Sequence, residues 1–261
     1  MNKIKNAFEN KKAFIGFLTA GDPTFEASFE NIMSLVKAGA DLIEVGIPFS
    51  DPIAEGPVIQ EANIRALSHG MTTDRAFELV ARVRESTDVP ICFMTYLNPV
   101  FKYGYDRFFA RCKEIGVDGL ICPDMPFEEK DEADSVAKKY GVSVVSLIAP
   151  TSEERIKMIA ENADGFLYIV SSMGVTGVRS EIKTDLASIM ESVKKYAKVP
   201  AAIGFGISTP ETAAKMAQIS DGVIVGSAIV KLVAQYGENA APEIYKYVKS
   251  LADAVHAVPC K

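Results

Sequence analysis

Residues 39–57 read GADLIEVGIPFSDPIAEGP: an Asp-bearing turn, the apolar run LIEVGIPF, then an irregular segment punctuated by proline and glycine. The run is short, β-branched and continuously apolar, which is the pattern of a strand buried on both faces, as parallel strands under helical crossovers are. Its approach recurs along the chain. GVDGLIC (116–122), NADGFLY (162–168) and ISDGVIV (219–225) also carry Asp ahead of the strand, whereas DVPICFM (88–94) and KVPAAIGF (198–205) enter through Val-Pro, a faint internal period. With AFIGFLTAG and VVSLIAP the strand-like runs number eight.

Between them lie segments of helical period: FEASFENIMSLVKAG, DRAFELVARVRES, YDRFFARCKEIG, EKDEADSVAKKYG, SEERIKMIAEN, TDLASIMESVKKYA and PETAAKMAQIS. Several stop at Gly, Asn or a Lys-rich turn, as helix ends do. Eight strand-helix units fit an α/β fold of the closed (β/α)8 type, the TIM barrel, better than an open doubly wound sheet. The reading is one barrel domain over residues 1–261, with a short helix in MNKIKNAFEN before it. An extra helix, PVIQEANIRALSHG, follows the second strand, and Pro57 suits its first turn.

Composition narrows the function. Hydrophobic residues make up 48% and charged residues 24%, enough core for a globular protein and no room for extended disorder. The net charge is -6 with no basic stripe, which argues against nucleic acid. No apolar run nears the roughly 18 residues of a membrane span, and the first residues lack a signal-peptide pattern, so a cytoplasmic protein off the membrane is expected. Cys92, Cys112, Cys122 and Cys260 share no metal-ligand spacing, and two histidines, His69 and His256, offer little for a metal site. No metal is expected. Acid-base chemistry falls to carboxylates or a tyrosine.

Glu44 is the anomaly of the second strand. Leu42, Glu44 and Gly46 share one face and Ile43, Val45 and Ile47 the other. Were the first face inward, small Gly46 would leave space beside the acid. A core Glu with a buried partner and a general acid-base facing a cavity are both open. Glu55, in the loop beyond, reads as a solvated acid or a second functional one. Asp51, beside Ser50 and Pro52, suits a turn. Asp124 suits a loop-orienting hydrogen bond, and Tyr96 and Tyr168, near strand ends, suit packing with a wet hydroxyl.

Glycine turns follow the last three strands: GVTG (174–177), GFG (204–206) and VGSAIV from Gly226 and Ser227. Barrels of this type bind phosphate between the loops after strands seven and eight and a helix N-terminus, which lets an acidic protein hold an anion on backbone amides. Ser227 is placed to cap that helix. The long segment SSMGVTGVRSEIKTD, carrying Thr176 and Arg179, has the length of a lid. Arg179 reads as a solvated cation or as a contact to a ligand or partner.

TAGDP after strand one, IEVGIPFSDPIAEGP, the GVTG segment, GFGIS and VGSAIV, in that order along essentially the whole chain, resemble the tryptophan synthase α subunit family. The resemblance implies retro-aldol cleavage of indole-3-glycerol phosphate to indole and glyceraldehyde 3-phosphate. Glu44 matches the family's general acid-base. Glu55 stands where the family commonly has Asp in ADGP, the carboxylate that stabilises the indole nitrogen. The resemblance further implies Phe17 and Tyr96 around the indole and Tyr168 near the glycerol chain. It places Gly177, Gly206, Gly226 and Ser227 at the phosphate, with Thr176 as the lid latch. Asp51, Pro52 and Arg179 fall where the family meets its β subunit in an α2β2 heterotetramer. No cofactor is implied for this chain; pyridoxal phosphate belongs to the β subunit. Two rival readings are a lyase or isomerase of another phosphorylated sugar, and a regulatory partner whose own chemistry is weakened by Glu55.

Overall fold

The computed structural model describes residues 3–170, 186–204 and 206–260. Eight strands, β1 (Ala13–Thr19), β2 (Leu42–Gly46), β3 (Ile91–Met94), β4 (Gly119–Ile121), β5 (Ser143–Ile148), β6 (Leu167–Val170), β7 (Ala201–Gly204) and β8 (Gly222–Val225), close into a barrel. Each pairs in parallel with the next, and β8 returns to β1. This is the (β/α)8 architecture expected from the alternation. Among the described residues no helix is long and apolar enough to cross a membrane.

The helices are α1 (Phe25–Ala38), α2 (Pro57–Ser68), α3 (Thr73–Arg84), α4 (Leu97–Tyr103), α5 (Tyr105–Ile115), α6 (Lys130–Tyr140), α7 (Glu153–Glu161), α8 (Leu186–Tyr196), α9 (Pro210–Ile219), α10 (Ser227–Tyr236) and α11 (Ala241–His256). The extra helix after strand two is α2, with Pro57 in its first turn. The segment before the barrel is a single 3-10 turn, Ile4–Phe8, whose Ile4 is fully buried and whose Phe8 ring lies 5.9 Å from Phe166, so it closes the barrel floor.

Two helices stand outside the alternation read from the sequence. Residues of α4 follow β3 through Thr95 and Tyr96 without a turn signal, so strand and helix read as one run. The amphipathic α11 buries Ile244, Val248, Leu251 and Val255, and packs chiefly on α1 and α9. The run GVIVGSAIV also divides. Strand β8 ends at Val225 and the helix begins at Ser227, because Gly226 turns the chain and Ile229, Val230 and Val233 then fall on one buried helical face.

The repeated Asp has a physical cause. Asp41, ahead of β2, accepts the Phe14 N–H at 2.8 Å; Asp118, ahead of β4, accepts that of Ile91 at 3.1 Å; Asp221, ahead of β8, accepts that of Ala201 at 2.9 Å. Each carboxylate satisfies a donor at the start of the preceding strand, on the side where the next strand has not yet begun. Asp164 departs from the pattern and bonds the adjacent Gly165 N–H.

Side-chain alternation separates two apolar layers. Ile15, Leu42, Cys92, Ile121, Val145, Phe166 and Ile224 fill the barrel, while Ile43, Val45, Phe93, Leu120 and Ile169 face the helices. Glu44 belongs to the first face. Cys92, Cys112 and Cys122 are buried and free, and Cys260 is exposed.

Candidate active site

The register sets Glu44 between Phe17 of β1 and Cys92 of β3, with its side chain inside the barrel. It is fully buried, and neither carboxyl oxygen has a hydrogen-bond partner among the described residues. A carboxylate so placed loses its hydration and gains nothing in return, so the neutral acid is favoured. Burial pushes its pKa up to about 8. Its influence reaches its neighbours: burial first, and then the Glu44 charge, raise Tyr168 and Cys92. The core Glu with a buried basic partner, left open by the sequence, is not what the described residues form.

The space left by two strand glycines, Gly46 beside the acid and Gly204, is taken by aromatic rings. A Cβ on Gly46 would stand 2.7 Å from Phe17 Cζ, and one on Gly204 would stand 2.6 Å from the Tyr168 hydroxyl. Absent side chains on β2 and β7 thus admit aromatic rings from β1 and β6 across the barrel mouth.

Glu55 comes from the loop between β2 and α2 and lines the same cavity as Glu44, together with Phe17, Leu147, Tyr168, Gly206, Gly226 and Ser227. Its Oε2 accepts a hydrogen bond from Asn63 Nδ2 at 2.7 Å, and its carbonyl accepts one from Gln60 Nε2 at 2.7 Å. Burial pushes its pKa up to about 7, against the lowering effect of hydrogen bonds from Asn63 and Tyr96. Two carboxyl groups on one cavity therefore hold their protons over different ranges.

Tyr96 stands behind this loop, and the cavity wall does not include it. Its hydroxyl accepts the Ala54 N–H at 3.0 Å and its ring lies 5.4 Å from that of Phe49. It fastens the Glu55 loop to the start of α4. Asp124 does what its loop position suggests: Oδ1 accepts the Leu97 N–H at 2.9 Å, at the head of α4. Asp51 is exposed and bonded by the Ser50 hydroxyl; Pro52 beside it is half-buried, and Ile53 is 74% exposed.

On the same cavity, α10 begins with no side-chain cap, and its intrahelical bonds start at Ile229 N–H to Gly226 O. The amides of Ser227 and Ala228 thus lie at the positive end of a helix dipole on the cavity wall. Ser227 is the first helical residue and Gly226 the cap, so the capping expected of Ser227 is not its role. Gly206, at a φ of 76°, turns the chain after β7 in the left-handed region that glycine alone adopts freely. Thr176, Gly177 and Arg179 lie outside the described residues.

Asn63 and the apolar walls at Ile59, Met94, Pro123, Leu147, Ile207 and Ile224 were not singled out in the sequence. The walls carry no polar signal. Asn63 carries one: it is an amide on the buried stripe of α2 beside Ile59, Ala62 and Ala66.

A profile of the family described as tryptophan synthase alpha chain matches residues 3–256. The tryptophan synthase alpha chain of Lacticaseibacillus casei is 51% identical over 257 residues, covering 98% of this chain and 97% of that one. That of Geobacillus stearothermophilus is 44% identical, over 96% and 97% of the two chains. Among solved structures, the α subunit from Legionella pneumophila superposes with a TM-score of 0.88 at 37% identity, covering 98% of each chain. A chain of the tryptophan synthase complex from Pyrococcus furiosus superposes with a TM-score of 0.87 at 35% identity, covering 94% of this chain and 99% of that one. On a profile match over nearly its whole length and on relatives matched end to end, the chain belongs to the tryptophan synthase alpha chain family.

Proposed function

We propose that this chain is a carbon-carbon lyase that cleaves indole-3-glycerol phosphate to indole and glyceraldehyde 3-phosphate and passes the indole to a β subunit for tryptophan synthesis in the cytoplasm. The observation that carries the reading is Glu44: a fully buried carboxyl, unpaired among the described residues, on the wall of a largely apolar cavity. Indole leaves poorly as a C3 carbanion, so its C3 must first be protonated. Glu44, neutral up to about pH 8, supplies that proton. The ring then carries positive charge at N1, which the Glu55 carboxylate stabilises. The Glu44 carboxylate next takes the proton of the glycerol hydroxyl next to the ring as the carbon-carbon bond breaks. Its electrons return to the indole ring, the carbinol carbon becomes the aldehyde, and Glu44 is again neutral.

Phe17 flanks the indole, Tyr168 the glycerol chain, and the amides of Gly226, Ser227 and the Gly206 turn receive the phosphate. This half-reaction is assigned to side chains of the chain itself, and pyridoxal phosphate to the β subunit. Since Glu44 acts from its neutral form and Glu55 from its charged form, kcat/KM is expected to rise through about pH 7 and fall beyond about pH 8. The test is indole release from indole-3-glycerol phosphate by the purified chain, alone and with the β subunit. Glu44→Gln is expected to lose at least about a hundredfold in kcat. Full activity in that variant would end the proposal.

A further inference from the structure

The reading of Glu55 as the carboxylate facing the indole nitrogen leaves one question: what holds a Glu, longer and more flexible than the Asp of related sequences, in one place? The loop backbone is tied at two points, Ala54 N–H to the Tyr96 hydroxyl at 3.0 Å and Gln60 Nε2 to the Glu55 carbonyl at 2.7 Å. The side chain itself is tied by Asn63, whose Nδ2 lies 2.7 Å from Glu55 Oε2. Asn63 is 5% exposed and sits mid-helix on the apolar stripe of α2. An amide there costs stability unless it is bonded, and a carboxylate can only accept, so the amide must present its N–H.

We propose that Asn63 is a positioning residue for the reaction: anchored on the buried face of α2, it holds the Glu55 carboxylate at the cavity wall and favours its charged form. This inference rests on the role assigned to Glu55 above. A donor to a carboxylate stabilises the ionised state, and burial works against it. Asn63 therefore widens the range, below about pH 8, in which Glu55 is charged while Glu44 is still protonated. Tyr96 faces Glu55 from the head of α4, with Asp124 behind it, and burial raises Tyr96 beyond the working range. Glu44 from β2 and Tyr168 from β6 line the same cavity, and no Lys, Arg or His does so among the described residues. Among the described residues, neutral donors are what oppose burial at Glu55.

The helix anchoring Asn63 is itself fixed. Arg65 donates Nε and a terminal nitrogen to the two oxygens of buried Asp22 at 2.7 and 2.8 Å, joining α2 to the loop after β1. The amide thus projects from a helix braced against the loop after β1.

The experiment measures pH profiles of kcat/KM, with KM separately, for indole release by Asn63→Leu, which keeps the size and removes the donor, and by Asn63→Asp, which replaces donor by acceptor. Asn63→Leu is expected to move the acidic limb up by about one pH unit, a loss of about fivefold at pH 7 that shrinks toward pH 8. KM should change less than about twofold, since Asn63 donates to Glu55 from behind the cavity wall and is not itself among the lining residues. Asn63→Asp should move the limb at least as far, and it carries the test if the leucine variant does not fold. A loss uniform across pH, or a profile superimposable on that of the parent, overturns the inference. Glu55→Gln separates it from the underlying reading. If that variant keeps full activity, the role of Glu55 fails first; if it is inactive while the Asn63 variants keep the parent profile, the positioning role alone is wrong.

Discussion

Glu44 is placed where a protein loses stability in order to act. A carboxyl whose folded pKa is near 8, against 4.5 for the ordinary group, takes up a proton on folding throughout that interval. The folded state then binds more protons than the unfolded one, so stability falls as pH rises from about 4.5 to about 8 and levels off beyond. The slope from this one group is at most about 1.4 kcal/mol per pH unit. Glu44→Gln has no proton to take up. The difference in melting temperature between variant and parent should therefore grow in the variant's favour between pH 5 and pH 8, even as activity is lost. Parallel melting curves across that range would show that the acid is solvated or paired after all.

At the scale of single elements, strand ends decide both fold and site. Gly46 ends β2 where the Phe17 ring crosses it, and a methyl there would overlap the ring at 2.7 Å. Gly46→Ala is expected to push Phe17 into the cavity, costing about 1–3 kcal/mol in stability. Substrate binding should weaken with it. Chemical denaturation and KM for indole-3-glycerol phosphate check the two halves separately. Asp221 illustrates the opposite end of a strand. Removing its carboxylate, as in Asp221→Ala, strands the Ala201 N–H and should destabilise by about 1–3 kcal/mol. Equilibrium unfolding measures this, and kcat per folded molecule should change little because β7 enters far from the cavity. The Asp that recurs before strands was legible as a period; that it serves the strand before its own appears only once the strands are side by side.

For the whole molecule, the mouth of the barrel also presents apolar surface to the outside. Ile53 is 74% exposed and Phe101, on α4, 63% exposed, and Tyr96 joins their two segments. Large apolar side chains held in water by a fastened loop and a short helix suit burial in a partner. Phe101→Glu should weaken association with the β subunit by at least about tenfold while leaving the melting temperature of the free chain within about two degrees. Titration calorimetry with the purified β subunit tests it. Association of parental strength would place the contact elsewhere.

Fold class, the eight strands and most helices follow from the sequence because apolar periodicity and turn residues are local: each segment carries its own record of which faces are buried. Glu44 stood out for the same reason, as an acid in an apolar strand. Its lack of a partner among the described residues did not, since any of seven other strands can supply one. Nor did the support of Asn63 for Glu55, eight residues away in α2, or the placement of Tyr96 behind the loop rather than on the cavity wall. Those relations depend on barrel closure and register, which bring residues distant in sequence within hydrogen-bond reach or keep them from it, and only the tertiary structure decides them.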